Sequence, residues 1–308
     1  MNLRAAATAV ALACAIAAAG CGLGPGKGTS GVSLTVTRNF GSHQVGSVSE
    51  RRVPGSETVM RMLERSFTVQ TRFGGGFVQS IDGRSGDSSR HDWFYYVNGI
   101  EAEKGAATTA VHRGDRIWWD LHDWSVTDSV PAVVGSFPEP FVHGSGGRRL
   151  PVTIGCAQDA SVACSRVTKE LKAVGVPVAS QLLGGGSGTD SLAVLVGTWR
   201  DMRGVIAASL IAKGPSSSGV YARFSGPNGT SLQLLDPRGH VANTLGTGAG
   251  LIAATRDQVS EPTWMITGTD PAGVAAAASA LTPTRLRDHF ALAVQAGNDL
   301  AVPVLPGT

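Results

Sequence analysis

The run Trp93-Phe94-Tyr95-Tyr96-Val97-Asn98-Gly99 constrains the fold more than any other stretch of the 308-residue chain. Rings and a β-branched residue followed by Asn-Gly predict a strand that turns back on itself, because Asn and Gly tolerate the positive φ angles of a two-residue hairpin turn. Successive side chains of a strand point to opposite faces, so these rings cannot all enter one core. Trp93, Tyr95 and Val97 form the inner set, leaving Phe94 and Tyr96 outward. A second strand, Arg116-Ile117-Trp118-Trp119-Asp120-Leu121, follows Gly114-Asp115 and divides the same way, with Ile117, Trp119 and Leu121 inward and Trp118 outward. Exposed clustered rings are costly. Either a second domain or a crossing segment covers the outer set, or that set is a surface for a ligand or partner.

The sequence around this pair completes a small domain over residues 32–128. Val32-Ser33-Leu34-Thr35-Val36-Thr37 alternates as a half-buried strand does. Pro54-Gly55-Ser56-Glu57 predicts a turn into a helix with Ser56 as N-cap, and Val59, Met60, Met62, Leu63 and Phe67 supply its apolar stripe. Phe77-Val78-Gln79-Ser80-Ile81 is a short strand between Gly74-Gly75-Gly76 and the turn Asp82-Gly83. The expectation is an α+β domain: a small mixed sheet with one helix. Residues 129–149, with Pro131, Pro138 and Pro140 beside Gly144, Gly146 and Gly147, lack sustained periodicity and read as a linker or a long crossing segment. From 150 to 308 short aliphatic strands alternate with Ala-rich helices, the pattern of an α/β domain. Strands are expected near 150–154, 191–196, 219–224, 231–235 and 263–268, and helices over 165–174, 201–212 and 272–281, the last started by Asp270-Pro271.

The first twenty residues have the profile of a signal peptide: Arg4 near the start, then an uncharged apolar run shorter than the roughly 20 residues needed to cross a bilayer. The run closes on Ala18-Ala19-Gly20-Cys21, which resembles the lipobox of bacterial lipoproteins and makes Cys21 the expected lipidation site. Residues 21–31 then form a Gly-rich tether. The expected location is the extracytoplasmic face of the cell membrane. A net charge of +3, with no block of Lys or Arg behind it, argues against nucleic acid as a partner.

With Cys14 in the signal segment and Cys21 committed to lipid, Cys156 and Cys164 remain. Outside the cytoplasm two such thiols pair. In the loop-entropy model, closing so short a loop constrains the unfolded chain by about 2.6 kcal/mol. No nucleophile elbow and no HExxH pair is present, so neither catalytic residues nor an enzyme activity is expected. Asp120 and His122 share a strand face and, with His91-Asp92, are the nearest approach to a metal-ligand cluster; solvated polar residues explain them better, and no metal is expected. The residues Thr267-Gly268-Thr269-Asp270-Pro271-Ala272-Gly273 lack the spacing of a phosphate-binding loop and read as a capped strand-to-helix turn.

Four blocks in order, Pro54-Gly55-Ser56-Glu57-Thr58-Val59, Gly76-Phe77-Val78-Gln79-Ser80-Ile81-Asp82-Gly83, Trp93 through Gly99, and Gly114-Asp115-Arg116-Ile117, together resemble the DUF4430 domain, which is similar to the C-terminal β-domain of transcobalamin and intrinsic factor. The resemblance implies a cobalamin-like corrinoid or another flat ligand, bound without any cofactor. It places the contacts around Trp93, Phe94, Tyr95, Tyr96 and Asn98, with Trp118 as the outward ring of the next strand. The helical barrel of those carriers is absent, so the α/β domain or a separate protein must supply the opposite wall. The expected function is a lipid-anchored binding protein capturing a small ligand for uptake, with a membrane transporter as partner. The alternative is an envelope protein-interaction module with no small-molecule ligand.

Overall fold

The computed structural model describes residues 31–87, 89–257 and 259–307. The expected signal segment, Cys21 and all of the tether but Gly31 lie outside the described residues.

The first domain is α+β. Its elements are β1 (Val32–Arg38), β2 (His43–Glu50), α1 (Val59–Ser66), β3 (Val69–Arg72), β4 (Phe77–Ile81), β5 (Arg84–Ser85), β6 (His91–Val97), β7 (Ile100–Glu101) and β8 (Arg116–Asp123). The main sheet runs β2-β1-β8-β6-β7, with β1 and β8 parallel and the other neighbours antiparallel. Asn98 and Gly99 form the β6–β7 turn at φ 56° and 76°, as their residue types require. Helix α1 buries Val59, Met60, Met62 and Leu63, but it starts later than the sequence suggested. Its N-cap is Thr58, whose hydroxyl accepts the Arg61 N–H at 3.3 Å, rather than Ser56. The Glu57 N–H closes a turn onto the Pro54 carbonyl, which holds Ser56 outside the helix. Glu57 is buried and pairs with Arg65 on the helix.

The second domain is built on a seven-stranded sheet. Its elements are β9 (Val152–Cys156), α2 (Ser161–Ala173), β10 (Val178–Gln181), β11 (Leu192–Thr198), α3 (Ile206–Lys213), α4 (Pro215–Ser218), β12 (Ala222–Ser225), β13 (Ser231–Leu235), β14 (Val241–Leu245), β15 (Gly250–Thr255), β16 (Thr263–Gly268), α5 (Pro271–Ala280), α6 (Pro283–Leu286), β17 (Ala291–Gln295) and β18 (Asn298–Val302). The order is β10-β9-β11-β16-β15-β17-β18; the first four strands are parallel and the rest antiparallel. Strands β11, β15 and β16 are buried almost end to end, because both faces of this sheet are covered. One face carries α2 and α5 on Val194, Val196, Trp264 and Ile266. The other packs Ala193, Leu195 and Met265 with α3 and the small sheet β12-β13-β14.

That second face is also where the two domains join. Phe40, Tyr96 and Trp118 of the first domain belong to the same apolar cluster as Tyr221 and Phe290 of the second. Residues 129–149 do not behave as a spacer: Val130 and Val133 are buried in the cluster shared by the two domains, and Ala132, Val134, Phe137 and Phe141 in the second domain's own core. Pro and Gly break the periodicity of this segment, yet its apolar residues still reach two cores. Cys156 and Cys164 form the expected disulfide, with Cα atoms 6.0 Å apart, tying the end of β9 to α2. The turn before α5 is capped as expected: the Asp270 carboxylate accepts the Gly273 and Gly248 N–H groups, both at 2.8 Å.

Candidate functional site: a groove beside the aromatic strand

Strands β6 and β8 divide their rings as alternation requires. Trp93, Tyr95, Ile117 and Trp119 face α1 and β4, within the first domain's own core. Tyr95 stacks on Trp119 with ring centroids 4.8 Å apart. The opposite set meets the second domain, where the Phe290 ring contacts Tyr96 at 5.7 Å and Trp118 at 5.2 Å. Tyr96 is fully buried and Trp118 is 3% exposed. The outer face is therefore covered by the second domain, and these two rings are not a free surface. Asn98 is likewise buried and spent on structure: its amide donates to Asp115 Oδ1 and the Gly144 carbonyl, and its oxygen accepts the Arg116 N–H, each at 2.9 Å.

Trp93, Phe94 and Tyr95 remain together beside an open space. Strand β7 is short and pairs only with Tyr96 and Val97, so on the side away from β8 the first five residues of β6 have no main-sheet neighbour. There a cavity of about 210 Å³ is lined by Phe77, Trp93, Phe94, Tyr95 and Trp119, with Met60 and Val78 among the apolar walls and Asp92 and Glu101 as its carboxyls. Phe77 is 41% exposed, the ring of this group most open to solvent. Burial holds both the Asp92 and the Glu101 carboxyl above the usual carboxylate range; hydrogen bonds from the Trp93 N–H and the Ser129 hydroxyl partly offset it.

A second depression of about 620 Å³ shares Glu101 and Ala102 with the first and lies in the seam between the domains. Its walls are polar: Lys104 and His112 from one domain, Arg256 and Glu261 from the other. An Arg256–Glu103 ion pair bridges the seam. Burial also raises the Glu261 carboxyl, one oxygen of which has no hydrogen-bond partner among the described residues. Sequence reasoning missed Phe77, Glu101, Arg256 and Glu261 as site residues. Phe77 was visible as an apolar residue at a Gly-rich turn, but the seam residues converge only once the domains dock.

Asp120 and His122 do share a face, as read from the sequence, but that face is the domain junction. The Asp120 carboxylate accepts the Phe40 and Gly41 N–H groups at 2.9 Å, the Thr37 hydroxyl at 2.5 Å, and faces His122 Nδ1 at 3.0 Å. The His122 ring stacks on Phe94 at 4.5 Å. Among the described residues no group of three His, Cys, Asp or Glu side chains is arranged to hold a metal ion.

Fold and site together define a two-domain chain: an α+β domain with an aromatic strand, docked by its outer face on an α/β domain, with a groove formed by two adjoining depressions, one at the strand edge and one in the seam. Residues 56–123 match the family described as Domain of unknown function (DUF4430). No curated protein matched the sequence. Among solved structures, similarity is found to a protein from Ruminococcus gnavus ATCC 29149 described as a proposed metal binding protein, at 18% identity and TM-score 0.25, covering 30% of this chain and 97% of that one. Haptocorrin in complex with Cbi is similar at 16% identity and TM-score 0.26, over 30% of this chain; the chain spans 25% of haptocorrin's length.

Proposed function

We propose that the protein is a non-enzymatic binding protein, held at the extracytoplasmic face of the membrane by lipid on Cys21, that captures a small amphipathic ligand in the groove beside β6. The observation that carries this reading is an aromatic pocket adjoining a polar cleft, the two sharing Glu101 and Ala102 in their walls. Ligand sites pair apolar walls with a few placed polar groups. The aromatic part admits one edge of a flat molecule, and the polar groups of the seam face the remainder. A corrinoid is the ligand class implied by the family resemblance, and a membrane transporter its destination.

The test is titration of the chain from residue 22 onward with cobalamin and cobinamide, followed by absorbance and calorimetry. Binding weakened at least tenfold by Phe77→Ala and by Arg256→Ala supports a corrinoid in this groove. No heat and no spectral shift at high micromolar ligand removes the corrinoid. A second reading, docking of another envelope protein, is favoured by Phe73, which is 88% exposed beside Phe77 across the tip Gly74-Gly75-Gly76. Crosslinking at position 73 in intact cells separates the two.

A further inference from the structure

The aromatic pocket is walled by rings and by the carboxyls of Asp92 and Glu101, and no Lys, Arg or His lines it. Glu101 pairs with Tyr96, four residues along β6 from Asp92, so the two acidic residues sit on one face of the sheet, roughly 13 Å apart along the strand, with Phe94 between them. Each carboxyl is half satisfied. Asp92 Oδ1 accepts the Trp93 N–H at 2.9 Å and Glu101 Oε2 accepts the Ser129 hydroxyl. Asp92 Oδ2 and Glu101 Oε1 accept no hydrogen bond among the described residues, and neither is among the buried unpaired atoms, so both stay open to solvent. The nearby arginines do not neutralise them: Arg90 pairs with Asp123 and Arg256 with Glu103, and Arg72 acts on Asp92 through space without a contact.

We infer that the aromatic pocket takes the alkylated ammonium group of an organic cation, held by its rings and by the Asp92 and Glu101 carboxylates. This inference rests on the groove being the binding site and names the charge and shape of what enters its aromatic end. The negative face of an aromatic ring attracts a cation, more strongly where water is excluded. Trp93, Tyr95 and Trp119, none more than 9% exposed, form the inner wall, and Phe77 is the open ring. A primary ammonium keeps a tight water shell that rings cannot replace. Alkyl groups remove that shell and suit the apolar side chains of Met60 and Val78. An anion would be repelled by both carboxylates, and a neutral ligand would desolvate them with no compensating charge. Burial already holds both carboxyls above the usual carboxylate range, as expected for acids without a counter-ion.

The chain from residue 22 onward, which keeps every described residue, is titrated at fixed ionic strength with choline and with 3,3-dimethylbutan-1-ol, which has the same shape with carbon in place of the quaternary nitrogen. Binding is followed by calorimetry and tryptophan fluorescence. Choline should bind about tenfold tighter than the alcohol, or better. Asp92→Asn, Glu101→Gln and Phe77→Leu should each weaken choline by about threefold or more and leave the alcohol within about twofold. Should a variant fail to fold, the two-probe comparison on the unaltered chain still decides. The same group occurs free and as a lipid headgroup. Cosedimentation with phosphatidylcholine vesicles, reversed by free choline, assigns the lipid; choline binding without vesicle association assigns the free cation. The alcohol binding as tightly as choline overturns the cation assignment and leaves the groove reading standing, as does choline binding that none of the three substitutions weakens. Silence toward both probes while a corrinoid binds has the same meaning. Silence toward the probes and corrinoids alike overturns both.

Discussion

Asp120 holds together the first domain's side of the junction: its carboxylate partners are Thr37, Phe40, Gly41 and His122. The turn after β1 holds Asn39, Phe40 and Gly41 at φ 55°, 56° and 83°, a left-handed course that is unfavourable for Phe. The Asp120 carboxylate offsets it by accepting two of the turn's N–H groups, and the turn in return inserts the Phe40 ring between His122, Tyr221 and Phe290. Asp120→Ala leaves those N–H groups without an acceptor and the Thr37 hydroxyl with only the long contact to the Trp119 carbonyl at 3.4 Å. It should cost about 3–5 kcal/mol, read from urea unfolding, given about 1–3 kcal/mol per orphaned group and incomplete additivity. Asp120→Asn keeps one acceptor oxygen and should cost less. Glu101 works in the opposite sense. Its carboxyl is raised by burial, so the folded chain binds a proton more readily than the unfolded one. Stability therefore falls as pH rises from the ordinary value of 4.5 through the raised folded value, and recovers on acidification through the same window. Glu101→Gln should be more stable than the parent at pH 7, with the difference vanishing toward pH 4. A difference constant with pH would show that Glu101 does not titrate on unfolding.

The elements differ in how much of their stability is local. The disulfide between Cys156 and Cys164 closes a loop with a sequence separation of 8. Replacing both cysteines by Ser should lower unfolding stability by about 2–3 kcal/mol, measured against the parent without reductant. A denaturation midpoint unmoved by the change would assign the bond no stabilising role. Helix α5 depends instead on close approach: a Cβ on Gly273 would lie 2.1 Å from the Ala249 carbonyl oxygen, so Gly273→Ala must push the helix from β15. The same contrast explains what the sequence could reveal. The split of β6 and β8 into inner and outer rings was legible, because alternation is a local property, and so was the Asn98-Gly99 turn. Strand β2 escaped notice because it is an edge strand with a mostly polar, partly exposed sequence that carries no apolar alternation. Strand β15, Gly-Leu-Ile-Ala-Ala-Thr, is buried on both faces, and such a run lacks any period that separates strand from helix. The expected helix over 201–212 resolves into a short turn over Asp201–Gly204 and then α3, because Gly204 breaks the run and Val205 is extended. The groove was legible in its aromatic half alone. Glu101, Arg256 and Glu261 come from segments more than 150 residues apart, and no local signal links them.

At the scale of the whole molecule the two domains form one packed body, and each closes a defect of the other. The outer face of the first sheet presents Phe94, Tyr96 and Trp118, and only Phe290, Tyr221 and the crossing segment make those rings compatible with water. The seam that results is where the polar half of the groove lies, so docking and the proposed binding share the same surfaces. Lipidation at Cys21 is tested by Cys21→Ser, which should move the protein from the membrane to the soluble fraction. The interdependence of the domains has its own test. Residues 31–128 produced alone would uncover the large rings on the outer face together with Phe40. At roughly 25 cal/mol per Å² and 150–250 Å² for each buried ring, re-exposure of Phe40, Tyr96 and Trp118 costs on the order of 11–19 kcal/mol as an upper bound, comparable to or beyond the net stability of a typical domain. The fragment should aggregate or bind a hydrophobic dye strongly. Extending it to residue 149 should restore little, because Val130 and Val133 cover the outer face only while the second domain holds them there. Mixing the fragment with residues 150–308 during refolding should recover a soluble complex with quenched dye fluorescence. A soluble, dye-silent fragment 31–128 would show that the outer rings find cover within the first domain, and the groove would then be a property of that domain rather than of the seam.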